Sequence, residues 1–369
     1  GNRKMFGWCP SCGAVAIEGL CSKHGSTMPI EDISSPEIRP LSPFEKRFFN
    51  ERIDGLTLGD GIFVVYTDRM YRRKVVSLDI PLVELRLHRD GIHLTPLARG
   101  YFEGMEPASL AAVNQDRLGR LVEVAHAFSE HELKHTANAV ISFSGGKDSV
   151  VLADVLSDLK LPKVFIDTRI EFPETYRFLD TLLKQYGYPR TGNRWCCKTQ
   201  KFEPFARYIQ DKYGREQVLV FSAERRLEGL YRMSQPLRKQ HKYILSQHTI
   251  QPLLDWLSLD IWVYIWAKKL PYNQVYEYFD RAGCWLCPFG LEYRIYLLQF
   301  SHPKLYDALS KIGVTESVLR KRPKTPAGKQ PCTMVLDGKT VKTCDVYGHF
   351  FLKGYCYRCG LPEPVKVPA

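Results

Sequence analysis

No stretch of this 369-residue chain approaches the ~20 consecutive apolar residues that a membrane-spanning helix needs, so no membrane role is expected. A secretory signal is also missing, because the basic opening runs directly into Cys9-Pro10-Ser11-Cys12. The expected compartment is the cytoplasm. The composition of a disordered chain is lacking too: 44% hydrophobic and 12% aromatic residues suffice for real cores. Acids are in the minority, 40 against 52 Lys plus Arg, and the resulting +12 favours polyanionic partners. The eleven cysteines are odd in number and fall in close pairs, a pattern that in a cytoplasmic enzyme means metal rather than disulfides. At this length two to four domains are expected.

The chain is organised around Ser144-Gly145-Gly146-Lys147-Asp148-Ser149. Ala139 to Phe143 before it is short, β-branched and apolar, as in a buried parallel strand. Apolar residues at helical spacing follow it as far as Pro162. Two glycines at a strand-to-helix turn let the backbone approach a ligand, and the helix's free N–H groups point at it. Lys147 adds positive charge, and Ser144 and Ser149 add hydroxyls. This is an anion site, with phosphate as the expected anion. It is not a Walker A loop, whose spacing between Gly and Gly-Lys differs.

Strand, helix, strand and helix continue through Lys163 to Thr168, a helix opened by Pro173, and Gln217 to Ser222. The expected fold class is α/β, a doubly wound parallel sheet with its ligand beyond the carboxyl ends of the strands. Ser144, Asp167 and Ser222 would then face one crevice. Four units are expected: a zinc ribbon and linker over 1–36, a small β-rich domain over 37–118, the α/β domain over 119–320 and a second ribbon over 321–369. In the first, Cys9, Cys12, Cys21 and His24 have the paired spacing of a tetrahedral zinc site. A patch so small would fold on its metal. The last offers Cys344, His349, Cys356 and Cys359, with Cys332 as a spare thiol.

The loop from Ser144 to Ser149 resembles that of the ATP pyrophosphatases related to phosphoadenosine phosphosulfate reductase. Asp167-Thr168 with Phe172-Pro173-Glu174-Thr175, Asp255-Trp256 and Leu270-Pro271-Tyr272-Asn273 resemble the same family in the same order, over about residues 138 to 300. Arg169 departs from the family, where Gly is usual. The buried-core reading of Trp256 and Trp262 is preferred to a direct role. The resemblance implies an adenine-nucleotide-hydrolase-like fold, ATP or adenylyl sulfate as ligand, and anion contacts from Arg225 and Arg226, whose forks suit phosphate or sulfate. Cys196-Cys197 and Cys284-x2-Cys287 resemble the 4Fe-4S ligands of iron-sulfur adenylyl-sulfate reductases, with zinc as the rival at any four-cysteine site. The β-rich segment resembles PUA-like barrels of RNA-modifying enzymes, although a generic β domain would show the same pattern.

Three functions stand against each other at this point. In the first, Lys147 and the loop hold ATP, Asp148 serves Mg2+ or orientation, and Asp167 completes the pocket. A nucleic acid, tRNA or DNA, is adenylated with release of pyrophosphate, and sulfur carried at the cluster, supplied by a sulfur-donor protein, displaces the adenylate. The second is adenylyl-sulfate or phosphoadenylyl-sulfate reduction with a reductant protein. Those enzymes resemble one another in a Glu-Cys-Gly-Leu-His string, whereas this chain has Arg358-Cys359-Gly360-Leu361-Pro362. The third is a non-catalytic nucleic-acid binder, using the loop-bearing fold as a scaffold. The basic stretch with Arg232, Arg238, Lys239 and Lys242 reads equally as a substrate path or a solvated face.

Overall fold

The computed structural model describes residues 6–30, 38–67, 73–77, 80–88, 91–165, 195–228, 232, 234–241, 244–284 and 292–311, with four short strands between 333 and 356. The N-terminal unit is built on two tight turns. β1 (Phe6–Trp8) pairs antiparallel with β2 (Val15–Ile17), β3 (Leu20–Cys21) with β4 (Gly25–Ser26), and β5 (Met28–Pro29) returns beside β1.

The β-rich unit follows. β6 (Arg39–Pro40) leads into α1 (Pro43–Asn50), whose start is set by a capping box: Ser42 Oγ accepts from the Glu45 N–H and Glu45 Oε2 accepts from the Ser42 N–H. Alternating residues then form β8 (Val64–Thr67), β9 (Arg73–Ser77), β10 (Ile80–His88) and β11 (Gly91–Pro96), an antiparallel sheet of order β11-β10-β9-β8-β6. β7 (Leu56–Leu58) and β12 (Gly100–Phe102) make a separate parallel pair.

Helices α2 (Pro107–Val113) and α3 (Gln115–Leu133) carry the chain to the α/β sheet. The expected boundary after residue 118 lies inside α3, which is continuous across it. β13 (Ala139–Phe143), α4 (Lys147–Val155), β14 (Lys163–Phe165), α5 (Glu203–Tyr213), β15 (Val218–Phe221), β16 (Arg238–Gln240), β17 (Gln247–Ile250) and α6 (Ser258–Lys268) complete the unit. The strand order is β14-β13-β15-β17-β16. The three pairings among β14, β13, β15 and β17 are parallel, as expected of a doubly wound sheet, and the edge strand β16 joins antiparallel. An edge strand needs only one partner, so the polar Arg238-Lys239-Gln240 can occupy it with one side to solvent.

Both faces of the sheet are covered. Ala139 and Ile141 of β13 pack toward α4 and α6, whereas Val140 packs with Phe205 and Ile209 of α5. Trp256 and Trp262 are buried in the first of these cores, as expected. Two packing relations cross the expected domain boundaries. The N-terminal ribbon shares its core with α2, α3 and the α/β sheet. Helices α7 (Glu292–Ser301) and α8 (Pro303–Lys311) give Tyr293, Leu297, Leu298 and Leu309 to the core of the β-rich unit. No helix among the described residues is long and apolar enough to cross a membrane.

The ribbon is fastened by Asn114, which is buried at the α2–α3 junction. Its Oδ1 accepts from the Ile17 N–H at 2.9 Å, and its Nδ2 donates to Val15 O at 3.1 Å and Leu110 O at 2.9 Å. In effect Asn114 supplies the strand partner that β2 lacks on that side. Asn114→Ala would strand a buried N–H and carbonyl, so we expect a loss of about 2–3 kcal/mol in denaturant unfolding. A change within about 0.5 kcal/mol, as at an ordinary surface position, would refute this account.

Candidate nucleotide and metal sites

The strand order reverses direction at β13, since β14 lies on one side and β15 on the other. The crevice beyond their carboxyl ends is where an open α/β sheet holds its ligand. The loop after β13 occupies that position. Gly145 has φ +70°, a left-handed conformation that other residues rarely take. Gly146 has no room for more, because an added Cβ would lie 3.3 Å from both Ser144 Oγ and Tyr276 Oη. Ser149 Oγ donates to Gly146 O at 2.8 Å, and the Ser144 N–H donates to Ser149 Oγ at 3.3 Å, so the loop is closed on itself.

No side chain caps α4 at Gly146. The Lys147 N–H donates to Tyr276 Oη at 2.9 Å, which leaves the following N–H groups of the first turn as the donors an anion would take. Lys147 Nζ is 2.8 Å from Asp148 Oδ2, and Arg225 Nε, from the segment after β15, is 2.6 Å from Asp148 Oδ1. Both cations are almost fully buried, at 2% and 3% exposure. Burial alone would raise the Asp148 pKa, but the adjacent Lys147 and Arg225 outweigh it and hold the carboxyl well below the usual range. The Tyr276 phenol is pushed up by burial and by the charge of Asp148.

A second carboxylate widens the cluster. Glu228 pairs with Arg225 at 3.7 Å, with Arg281 at 4.0 Å and with Arg232. Four cations thus converge on two acids, leaving the crevice positive. Arg226 turns elsewhere, onto Asp255 and the Gln235 carbonyl, so only one of the two expected arginines joins the loop. Tyr276, Glu228 and Arg281 were not foreseen, because nothing local marks them and their roles arise from tertiary placement. Asp167, and with it the string around Pro173, lies outside the described residues.

The ribbon holds a second constellation. The Sγ atoms of Cys9, Cys12 and Cys21 and one ring nitrogen of His24 lie within 4.8 Å of one another. The His24 Nδ1 is 3.5 Å from Cys9 Sγ, 3.0 Å from Cys12 Sγ and 3.6 Å from Cys21 Sγ. In each turn a backbone N–H, of Cys12 or His24, donates to the first thiol at 3.4 Å. Burial raises the Cys9 thiol, but N–H groups and neighbouring donors overcome this and lower it to about 7. Burial and the adjacent Cys9 and Cys21 raise Cys12 to about 11. Thiols that compete in this way for one negative charge are a set that a bound dication would relieve.

Cys196 and Cys197 share one helical turn, Trp195–Cys197. The Cys196 thiol is pushed far up by its bond with Cys197, by burial and by the nearby Cys284. Cys196 and Cys284 both pack against the core of the β-rich unit. Cys287, Cys344, His349 and Cys359 lie outside the described residues, as does Lys242, and Cys356 ends the short strand Tyr355–Cys356.

A doubly wound sheet with a glycine-containing strand-to-helix loop at its reversal point has the architecture in which such sheets hold their ligands. The family model described as "Phosphoadenosine phosphosulfate reductase domain" matches residues 138–192 and 183–289, so this part of the chain is similar to that family's domain. Two uncharacterized proteins of Methanocaldococcus jannaschii are similar to it, 33% identical over 46% of this chain and 40% of the relative, and 32% identical over 55% and 56%. The chain thus spans about half the length of these relatives. Adenosine 5'-phosphosulfate reductase 2 of Bacillus subtilis is 27% identical over 40% of this chain and 71% of its own.

Asp148 is the test of the cluster. A depressed native pKa contributes stability above the unfolded carboxylate value, about pH 4, and that contribution fades as pH falls toward the native value. Asp148→Asn removes the carboxylate that two buried cations share, so that Lys147 loses this partner, and is expected to cost about 3–5 kcal/mol at neutral pH. The deficit should shrink below about pH 4, where the native protein begins to lose the same interaction. Urea unfolding of both proteins across that range checks it, and a pH-independent deficit would count against the ion cluster.

Proposed function

We propose that this chain is an ATP-dependent enzyme that adenylates a nucleic-acid acceptor, tRNA or DNA, for sulfur insertion. The observation that carries this reading is the helix N-terminus flanked by two buried cations held on one carboxylate. Donors and charges fixed in advance suit a pyrophosphate leaving group, because nothing must reorganise as negative charge develops. An acceptor oxygen attacks the α-phosphorus of ATP, the bond to the bridging oxygen breaks, and pyrophosphate departs with Mg2+. A sulfur nucleophile from a donor protein then displaces AMP.

Asp148 takes the orienting role, since it already fixes Lys147 and Arg225, and Asp167 is assigned to the nucleotide and Mg2+. Cys196, Cys197, Cys284 and Cys287 are proposed to hold a 4Fe-4S cluster, which would supply sulfur or electron chemistry. The net charge of +12 supports the nucleic-acid acceptor, and a PUA-like role in binding it is proposed for the β-rich unit. Adenylyl-sulfate reduction is the second reading, favoured by the reductase relative. It would use the same loop for a different adenylate.

With Mg-ATP and bulk tRNA or DNA, pyrophosphate release is expected, and Lys147→Ala should lower it about a hundredfold or more. Sulfite release from adenylyl sulfate with thioredoxin, and without ATP, would decide for reduction.

The ribbon sites are assigned to zinc, whose tetrahedral preference suits a three-sulfur, one-nitrogen set. Metal analysis of the full chain should find about two zinc ions, one at the N-terminal set and one at Cys344, His349, Cys356 and Cys359. Cys12→Ser should remove about one of them. Unchanged zinc in that variant would refute the N-terminal site.

A further inference from the structure

A second concavity lies where the β-rich unit meets residues 262–280. Its aromatic side is Trp262, Trp266, Tyr272 and Tyr276, and its rim carries Arg39, Lys46, Glu277 and Asp280. The space is about 110 Å³, the scale of one ring system rather than of a whole nucleotide. Trp262 is the fixed centre of the aromatic side. Trp266 stacks on it at 5.8 Å and 27°, while Tyr272 and Tyr276 meet it edge-on at 5.2 and 5.3 Å. The inner rings are buried, but Tyr272 is 40% exposed and Trp266 partly so, which leaves ring surface at the mouth.

The charges narrow the ligand. Arg39 is held by Glu45 and lies 3.5 Å from Asp280, and Lys46 Nζ donates to Gly59 O at 2.7 Å. With Glu45 counted, three carboxylates face two cations, so a phosphate or sulfate gains little here. Four charged groups at the rim equally disfavour an aliphatic chain. An uncharged planar ring with hydrogen-bonding groups along its edge satisfies both the aromatic faces and the carboxylates. Position supports the same ligand. Tyr276 walls the cleft, and its hydroxyl accepts from the first N–H of α4, so one side chain separates the cleft from the phosphate loop.

We propose that this cleft holds one unpaired base of the nucleic-acid acceptor, stacked on Trp266 and Tyr272 with its polar edge toward Glu277 and Asp280. The proposal rests on the reading that the acceptor is a nucleic acid. Mixed-sequence single-stranded RNA and DNA are the probes, titrated against the full chain. Trp266→Ala and Tyr272→Ala should each weaken binding about ten- to a hundredfold, with Mg-ATP binding at the loop as the control for folding. Tyr272 is exposed enough that its variant remains informative if Trp266→Ala misfolds. Bromouridine-substituted RNA should photo-crosslink to Trp266 or Tyr272. Unchanged affinity in both variants, or crosslinks mapping only elsewhere, would overturn the cleft while leaving the nucleic-acid reading intact. Displacement of the RNA by tetramethylammonium would also overturn it, in favour of a cation cage. Absence of any RNA or DNA binding by the unaltered protein would overturn both readings, whereas loss of ATP binding alone touches only the loop.

Discussion

The site depends on one carboxylate. Lys147 and Arg225 are both buried, and Asp148 between them is the carboxylate they share. The desolvation cost of such a group is recovered only when the geometry is good and the remaining hydrogen-bonding capacity is used. Here both carboxylate oxygens are occupied, one by each cation. The 77 residues separating Asp148 from Arg225 are bridged by the sheet, because β13 and β15 are parallel neighbours, with Phe221 at the end of β15 opposite Ile141 of β13. A register slip of one residue would reverse which side chains face each core and carry Arg225 away from the loop.

The loop and its flanking strand were legible because every feature that makes them is local. Ala139 to Phe143 reads as a buried strand and Gly145 and Gly146 as a turn, and the chain takes those forms. The ribbon set was legible for the same reason, since each turn carries its own pair of ligands. Arg225 and Arg226 could not be told apart, because adjacent residues after a strand point differently and only the tertiary fold decides which meets Asp148. β16 was read as a polar stretch because a solvated edge strand has no apolar pattern to show. The docking of α7 and α8 on the β-rich unit was hidden likewise: sequence proximity to the α/β domain says nothing about which core an apolar helix face enters.

That last arrangement changes what the β-rich unit is. Its core contains Phe48, Phe63 and Leu85 together with Tyr293 and Leu297, so it is closed by the segment following Cys284. Polar contacts reinforce the closure. Tyr293 Oη donates to Glu45 at 2.7 Å, Arg39 bridges Glu45 and Asp280, and Arg294 donates to Cys284 O at 2.7 Å. The backbone beside Cys284 is thus held by a helix that the β-rich unit packs against. An appended domain tethered by a linker would not constrain it in this way.

The ribbon is tied in by a comparable chain of contacts. Glu18 at its tip pairs with Arg117, which meets Asp260 through two hydrogen bonds of 2.9 Å. Asp260 is wholly buried and also accepts from the Leu257 N–H at the start of α6. One residue earlier, Trp256 O accepts from Arg225, whose other face holds Asp148. Each link is a side chain fixed by partners on both sides, so the path conveys rigidity and not a switch between two states. Its effect on the loop is to hold Arg225 from behind, through Trp256 O in the segment that leads into α6. Donors held from behind in this way are already oriented when charge develops in front of them, and preorganised electrostatics require that condition.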